Sequence, residues 1–124
     1  MQQELIQNTE YQLNQFSDRQ KVLKELMRQV NKDFSDFLSK EITAEEKLTA
    51  ELIVERLTPV LKTLQNGPYE QLRQLLYKID MEEGKLFQQL QGEDIEEHPR
   101  IMVWSILERE LKKVVTRIHF SGNK

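Results

Sequence analysis

The chain has 124 residues, 38% hydrophobic and 31% charged, with a net charge of −3, which is enough apolar material for one core under a heavily solvated surface. It has no cysteine, so disulfides, zinc–thiolate sites, iron–sulfur ligation and thiol catalysis are excluded. With only 4 Gly and 3 Pro and an abundance of Leu, Glu, Gln, Lys and Arg, the composition predicts an all-α fold, and its acidic balance argues against non-specific nucleic-acid binding.

No Gly or Pro occurs before Pro59, and the apolar positions there are regular. Ile6, Thr9, Leu13, Phe16, Gln20, Leu23, Met27, Val30, Phe34 and Phe37 alternate steps of three and four, an a/d heptad pattern of coiled-coil type. Leu5, Leu26 and Leu38 widen the stripe, as in a helix packed inside a bundle. One continuous helix over 2–38 would be about 55 Å long at about 1.5 Å per residue, against about 35 Å for a compact domain of this size. The alternative is a break at Phe16-Ser17, where Ser17 and Gln20 fit a capping box. The heptad phase runs on through this point, which favours the continuous helix.

Thr43 with Glu46 fits a second capping box and predicts a helix over 43–65, with Ile53, Leu57, Val60 and Leu64 on its stripe. Pro59 inside it predicts a kink, or a break with Thr58 as a new N-cap. Asn66-Gly67 predicts a left-handed stop, and Pro68 a new start for a helix over 68–79. Asp80 with Glu83 reads as a third capping box, opening a short helix over 80–91 that Gly92 closes. An acidic connector, Glu93 to His98, leads to a last helix over 99–118 with Ile101, Trp104, Leu107, Leu111 and Ile118 on its stripe. The expected architecture is one domain, 1–124, an antiparallel helical bundle of five to six helices with a long N-terminal helix.

The residues carry little chemistry. His98 stands among Glu93, Asp94, Glu96 and Glu97, but the spacing repeats no metal-ligand pattern. No Gly-rich phosphate loop or nucleophile elbow is present. Neither a metal, a cofactor nor a small-molecule ligand is expected. Arg56, Arg109, Glu55 and Glu108 are the candidates for a buried Arg/Glu site in an alternative reading as a small helical enzyme or ligand-binding domain. Arg109, Lys112, Lys113, Arg117, His119 and Lys124 form a basic end, the basis of a second alternative, a nucleic-acid accessory protein; Glu108 and Glu110 interrupt it. The start, Met1-Gln2-Gln3-Glu4-Leu5, lacks a basic n-region with an apolar run, and no stretch reaches the length of a membrane span. A cytoplasmic location away from membrane is the expectation.

Leu75-Leu76-Tyr77-Lys78-Ile79-Asp80 with Glu83, followed by Ile106-Leu107-Glu108-Arg109 and Lys112-Lys113, resembles a pattern in small bacterial all-helical proteins without an assigned activity. The resemblance covers about residues 70–120, implies a bacterial cytoplasmic origin and adds no functional residue. The leading functional expectation is therefore a non-enzymatic module acting through helix–helix contact with a protein partner or with itself, as a homodimer. Ile6, Leu13, Phe16, Gln20 and Leu23 are the candidate interface, with Gln20 at an a position setting register or partner choice.

Overall fold

The computed structural model describes residues 2–16, 18–43 and 47–121. Six α-helices are present among them: α1 (Gln2–Leu13), α2 (Arg19–Asp33), α3 (Ala50–Asn66), α4 (Tyr69–Ile79), α5 (Glu83–Leu90) and α6 (His98–Ser121). A single 3-10 turn, Ile95–Glu97, leads into α6. The described residues contain no strand. The centre of the fold is α6, which packs against each of the other five helices. Ile101, Met102, Val103, Trp104, Ser105, Ile106 and Leu107 are all buried. A helix stretch with no solvated face is stable only when neighbours cover it on every side.

The expected long N-terminal helix is not formed. The chain turns between α1 and α2, and both helices lie on α6. The cap at the corner is Asp18, whose carboxylate accepts from the Lys21 amide at 3.0 Å; Ser17, the cap expected from the sequence, lies outside the described residues. Arg19 closes the corner by donating to Asn14 Oδ1 and pairing with Glu10. The physical reason for the break is the overhang itself. A straight helix would carry roughly a third of its apolar stripe beyond the domain, whereas two helices bury both parts against α6. The stripe is nonetheless real. Thr9, Leu13, Leu23, Val30 and Phe34 are buried, and Ile6, Phe16, Met27 and Phe37 pack on the same core.

The start of the next helix is also corrected. Residues 47–49 are not helical, and α3 opens at Thr49, whose hydroxyl accepts from the Leu52 amide at 3.1 Å. The box expected at Thr43 needs Glu46, which lies outside the described residues. The connector between α2 and α3 is held by two side-chain amides. Asn31 accepts from the Ile42 N–H at 2.8 Å and donates to the Ile42 carbonyl at 3.0 Å. Gln20 does the same to Leu48, at 3.2 Å and 2.7 Å. Each pair imitates one rung of a β ladder, which satisfies the backbone of a buried residue that belongs to no helix. Ile42 and Leu48 can thus bury their side chains in the core. Their anchors lie about 16 Å apart along α2 at about 1.5 Å per residue, with the later anchor nearer the start of α2, so the connector returns antiparallel to that helix.

Pro59 neither ends nor restarts a helix, because α3 is continuous through it. Pro59 and Glu55 are both exposed, so the Glu55 carbonyl that loses its donor lies on the solvent side of the helix, where the loss costs least. Thr58, expected as a cap, donates its hydroxyl back to the Val54 carbonyl at 2.7 Å. Gly67 is extended, not left-handed, with φ −101 and ψ −166. Asp80 is left-handed, φ 64, and ends α4 instead of capping α5. Its side chain is taken by Arg109 at 3.0 Å, and its αL conformation lets the Met81 amide reach the Leu76 carbonyl at 2.9 Å. This is a C-terminal closure of the Schellman kind made without glycine.

The clamp makes a testable claim. Replacing Gln20 by Leu keeps the side chain's bulk but leaves both backbone groups of the buried Leu48 without partners. We expect a loss of about 1–3 kcal/mol in urea unfolding, followed through the fluorescence of the single, fully buried Trp104. An unchanged midpoint would show that the clamp contributes nothing.

Candidate functional site

The sequence-derived interface does not form a surface. Leu13 and Leu23 are fully buried, Ile6 and Phe16 are half-buried against the same core, and Gln20 is spent on the connector. The residues therefore serve the chain's own packing. Large hydrophobics are exposed at scattered positions, Tyr11, Tyr77, Ile95 and Phe120 among them, but a concave apolar surface forms on α3, α4, α5 and the start of α6.

There, Leu64, Tyr69, Leu72, Phe87, Leu90 and Met102 line a predominantly apolar groove of about 470 Å³. Helix α4 starts at Tyr69 and α5 carries Phe87, which places the two rings 6.2 Å apart, tilted at 33°. They remain 47% and 38% exposed, which is a high value for two neighbouring large aromatics on a small surface. Tyr69 donates its hydroxyl to Glu83 Oε2, and Arg73 Nε donates to the other oxygen of Glu83 at 3.2 Å. That hydrogen bond to Glu83 raises the phenol above its ordinary range, with desolvation and the Glu83 charge adding to it. The ring is thus tied to α5 before anything binds. His98 forms another wall, its Nε2 3.1 Å from the Glu93 carbonyl oxygen.

A second depression lies between α1, α5 and α6, with a volume of about 560 Å³. Ser105, Glu108, Arg109 and Lys112 line it from one face of α6, and Lys85 and Gln89 from one face of α5, as i, i+3 and i+4 spacing dictates. Of the expected Arg/Glu candidates, Arg109 and Glu108 meet here, whereas Arg56 and Glu55 are exposed on α3. Arg109 is engaged as part of the wall, donating from Nε to the Asp80 carbonyl and from Nη2 to the Asp80 carboxylate, both at 3.0 Å.

The third cluster was not legible in the sequence. Glu110, on α6, is wholly buried and faces Asp33 of α2, which is 4% exposed. Lys113 Nζ stands 3.0 Å from Asp33 and 3.4 Å from Glu110. Gln29 donates to Asp33 at 2.9 Å and accepts from Arg117 at 2.9 Å. One ammonium serves two carboxyls, and with both ionised Glu110 has no donor in good geometry. Burial first, then the hydrogen bond with Asp33 and the charge of Asp33, push Glu110 up to about 8. Burial also raises Asp33, but hydrogen bonds from Glu110, Gln29 and Lys113 and the Lys113 charge outweigh it and hold Asp33 below its usual value. At neutral pH the pair shares one proton, which Glu110 carries and donates to Asp33. The cluster joins α2 to α6 and acts as a structural lock.

The expected basic end is divided by the fold. Lys113 and Arg117 turn toward α2, Arg109 toward Asp80 and Lys112 into the depression, while His119 meets Phe120 edge-on at 5.5 Å; Lys124 lies outside the described residues. Among the described residues no group of three or more His, Asp or Glu is disposed to hold a metal ion, and no helix is long and apolar enough to cross a membrane. Comparison with known protein families, curated proteins and solved structures finds no match. The resemblance expected over residues 70–120 therefore assigns no family, and function has to be read from these three features.

The shared proton sets a pH dependence. Between its ordinary 4.5 and the folded value of about 8, Glu110 keeps a proton in the folded state that the unfolded chain has lost. Stability from this group falls as pH rises through that window, by at most about 1.4 kcal/mol per pH unit. Asp33 acts oppositely, and its contribution is lost only as pH falls below its ordinary 3.8. Glu110→Gln keeps the shape and the donor without titrating. Urea midpoints at about pH 5.5 and about pH 8 should drop for the native chain and stay level for the variant. A native midpoint that is higher at the alkaline value would contradict the assignment.

Proposed function

We propose that this protein is a non-enzymatic helical interaction module, and that its docking surface is the aromatic groove of α3, α4 and α5. The observation that carries the reading is the exposed, pre-tied Tyr69–Phe87 pair over a predominantly apolar floor. Rigid aromatics beside a concave apolar surface are the usual anchors of a protein interface.

Charge narrows the partner. Residues 82–97 contain six acidic residues and one basic. Glu83 beside Tyr69 is paired with Arg73, so the unbalanced acidic charge near the groove comes from the Glu93–Glu97 segment, which the Glu93 backbone joins to His98. Two copies meeting groove to groove would set these charges against each other. A basic amphipathic helix fits both properties, its apolar face on the aromatics and its cations against the rim. This replaces self-association through residues 6–37, whose apolar side chains are used in the core.

A labelled Leu/Lys amphipathic peptide is the direct probe. Fluorescence anisotropy should report binding that weakens with salt and falls at least about tenfold for Phe87→Ser, in line with the loss of an aromatic anchor. Phe87 is partly exposed and outside the buried core, so the variant should keep the native urea midpoint. Equal binding by the folded variant would refute the groove as the docking surface.

A further inference from the structure

We infer that the depression between α1, α5 and α6 is a binding site for a small molecule bearing a primary ammonium and a carboxylate, such as a free amino acid. Ser105 is 5% exposed, lines this depression, and its Oγ has no hydrogen-bond partner. A serine buried in a helix ordinarily donates to the carbonyl four residues back. Two further acceptors in the same wall are also enclosed and unpartnered, Glu108 Oε2 and Gln89 Oε1. Buried polar atoms left without partners are costly, and three of them belong to residues that line this one concavity, where a ligand's donors would satisfy them.

The kind of donor follows from charge. The inner atoms include a carboxylate oxygen and two neutral oxygens, the set that an ammonium group satisfies with its N–H donors. The outer part is opposite in sign. Lys85 and Lys112 are exposed on either side, one from α5 and one from α6. The Asp80 carboxylate is neutralised by Arg109, and Glu82 also lines the mouth, so two lysines face one carboxylate there and the balance is positive. A ligand that is cationic inside and anionic outside complements the site, and at about 560 Å³ the space is ample for an amino acid with its side chain. Neither a simple amine nor a simple carboxylate satisfies both ends. The site is distinct from the aromatic groove, since Lys85 and Gln89 line the one and Phe87 the other.

Nitrogen-15 labelled full-length protein titrated to millimolar levels with glycine, L-alanine, L-serine and L-lysine tests the inference. At least one should shift the amides of residues 80–89 and 105–112, with ethylamine and acetate far weaker. Glu108→Gln, which keeps the shape and removes the charge, should weaken binding about tenfold. Lys112→Ala, a change at an exposed position, should weaken it a few-fold. Phe87→Ser should leave it unchanged, which separates this site from the groove. Urea midpoints confirm that each variant is folded. No response to any of the four amino acids would overturn the proposal, as would ethylamine binding equally well or full affinity in a folded Glu108→Gln variant.

Discussion

The structure depends on the burial of α6. From Ile101 to Leu107 this helix presents no residue to solvent, and Trp104, the largest side chain of the chain, is fully enclosed. An apolar helix of that kind cannot sit at the edge of a bundle, and every other helix is placed by the need to cover it. The corner between α1 and α2 follows from this. So does the return of the connector along α2, which delivers Ile42 and Leu48 to the core without a helix of their own. The side-chain amides of Gln20 and Asn31 make that possible by supplying the hydrogen bonds a helix would have supplied.

Polar groups break the apolar rule on α6 at two places. On the α2 side, Glu110, Lys113 and Arg117 meet Asp33, Gln29 and Glu25. Spacings of three or four residues on both helices match, so the two rows engage in one register. A slide by one turn would leave Glu110 and Asp33 buried without their donors, at a cost several times that of losing an exposed pair. On the α5 side, Ser105 and Glu108 keep oxygens enclosed but unpartnered. The two clusters lie on the same helix, yet one is closed by the protein's own side chains and the other is open. That contrast distinguishes the lock from the site.

Much of this was legible in the sequence, and the failures have physical causes. The heptad positions are core positions, as their periodicity says. What periodicity cannot report is a corner that keeps phase, because both halves of the stripe face the same central helix. The helix start moved from Thr43 to Thr49 because both are good N-caps, and only the burial of Leu48 in a non-helical segment decides between them. Asp80 followed by Glu83 looks like the opening of a helix, but the left-handed backbone at Asp80 closes the preceding one and frees its side chain for Arg109. Gln20 at an apolar position signalled a special role, and the role was a backbone 28 residues away. Glu110 was hidden because its neighbours Glu108, Lys112 and Lys113 read as an ordinary solvated face, and its Asp33 partner comes from a distant part of the chain.

The remaining chemistry gathers on α5, which explains why the shortest helix matters most at the surface. It has 8 residues, no side-chain cap at its start, and one buried residue, Leu86. With Leu86 directed to the core, the helical repeat sends Phe87 to one flank and Lys85 and Gln89 to the other. The same eight residues are therefore a wall of the aromatic groove and a wall of the polar depression. Its ties to the rest of the protein are Leu86 and Leu90 on the core, the Tyr69–Phe87 ring contact, the Glu83 bonds to Tyr69 and Arg73, and packing on α6. A tilt of α5 against α6, which also lines both concavities, would change the width of the two together. With the groove and the depression occupied as proposed, each ligand would alter the other's binding to the extent that the two prefer different α5 positions, and by the same free energy in both directions.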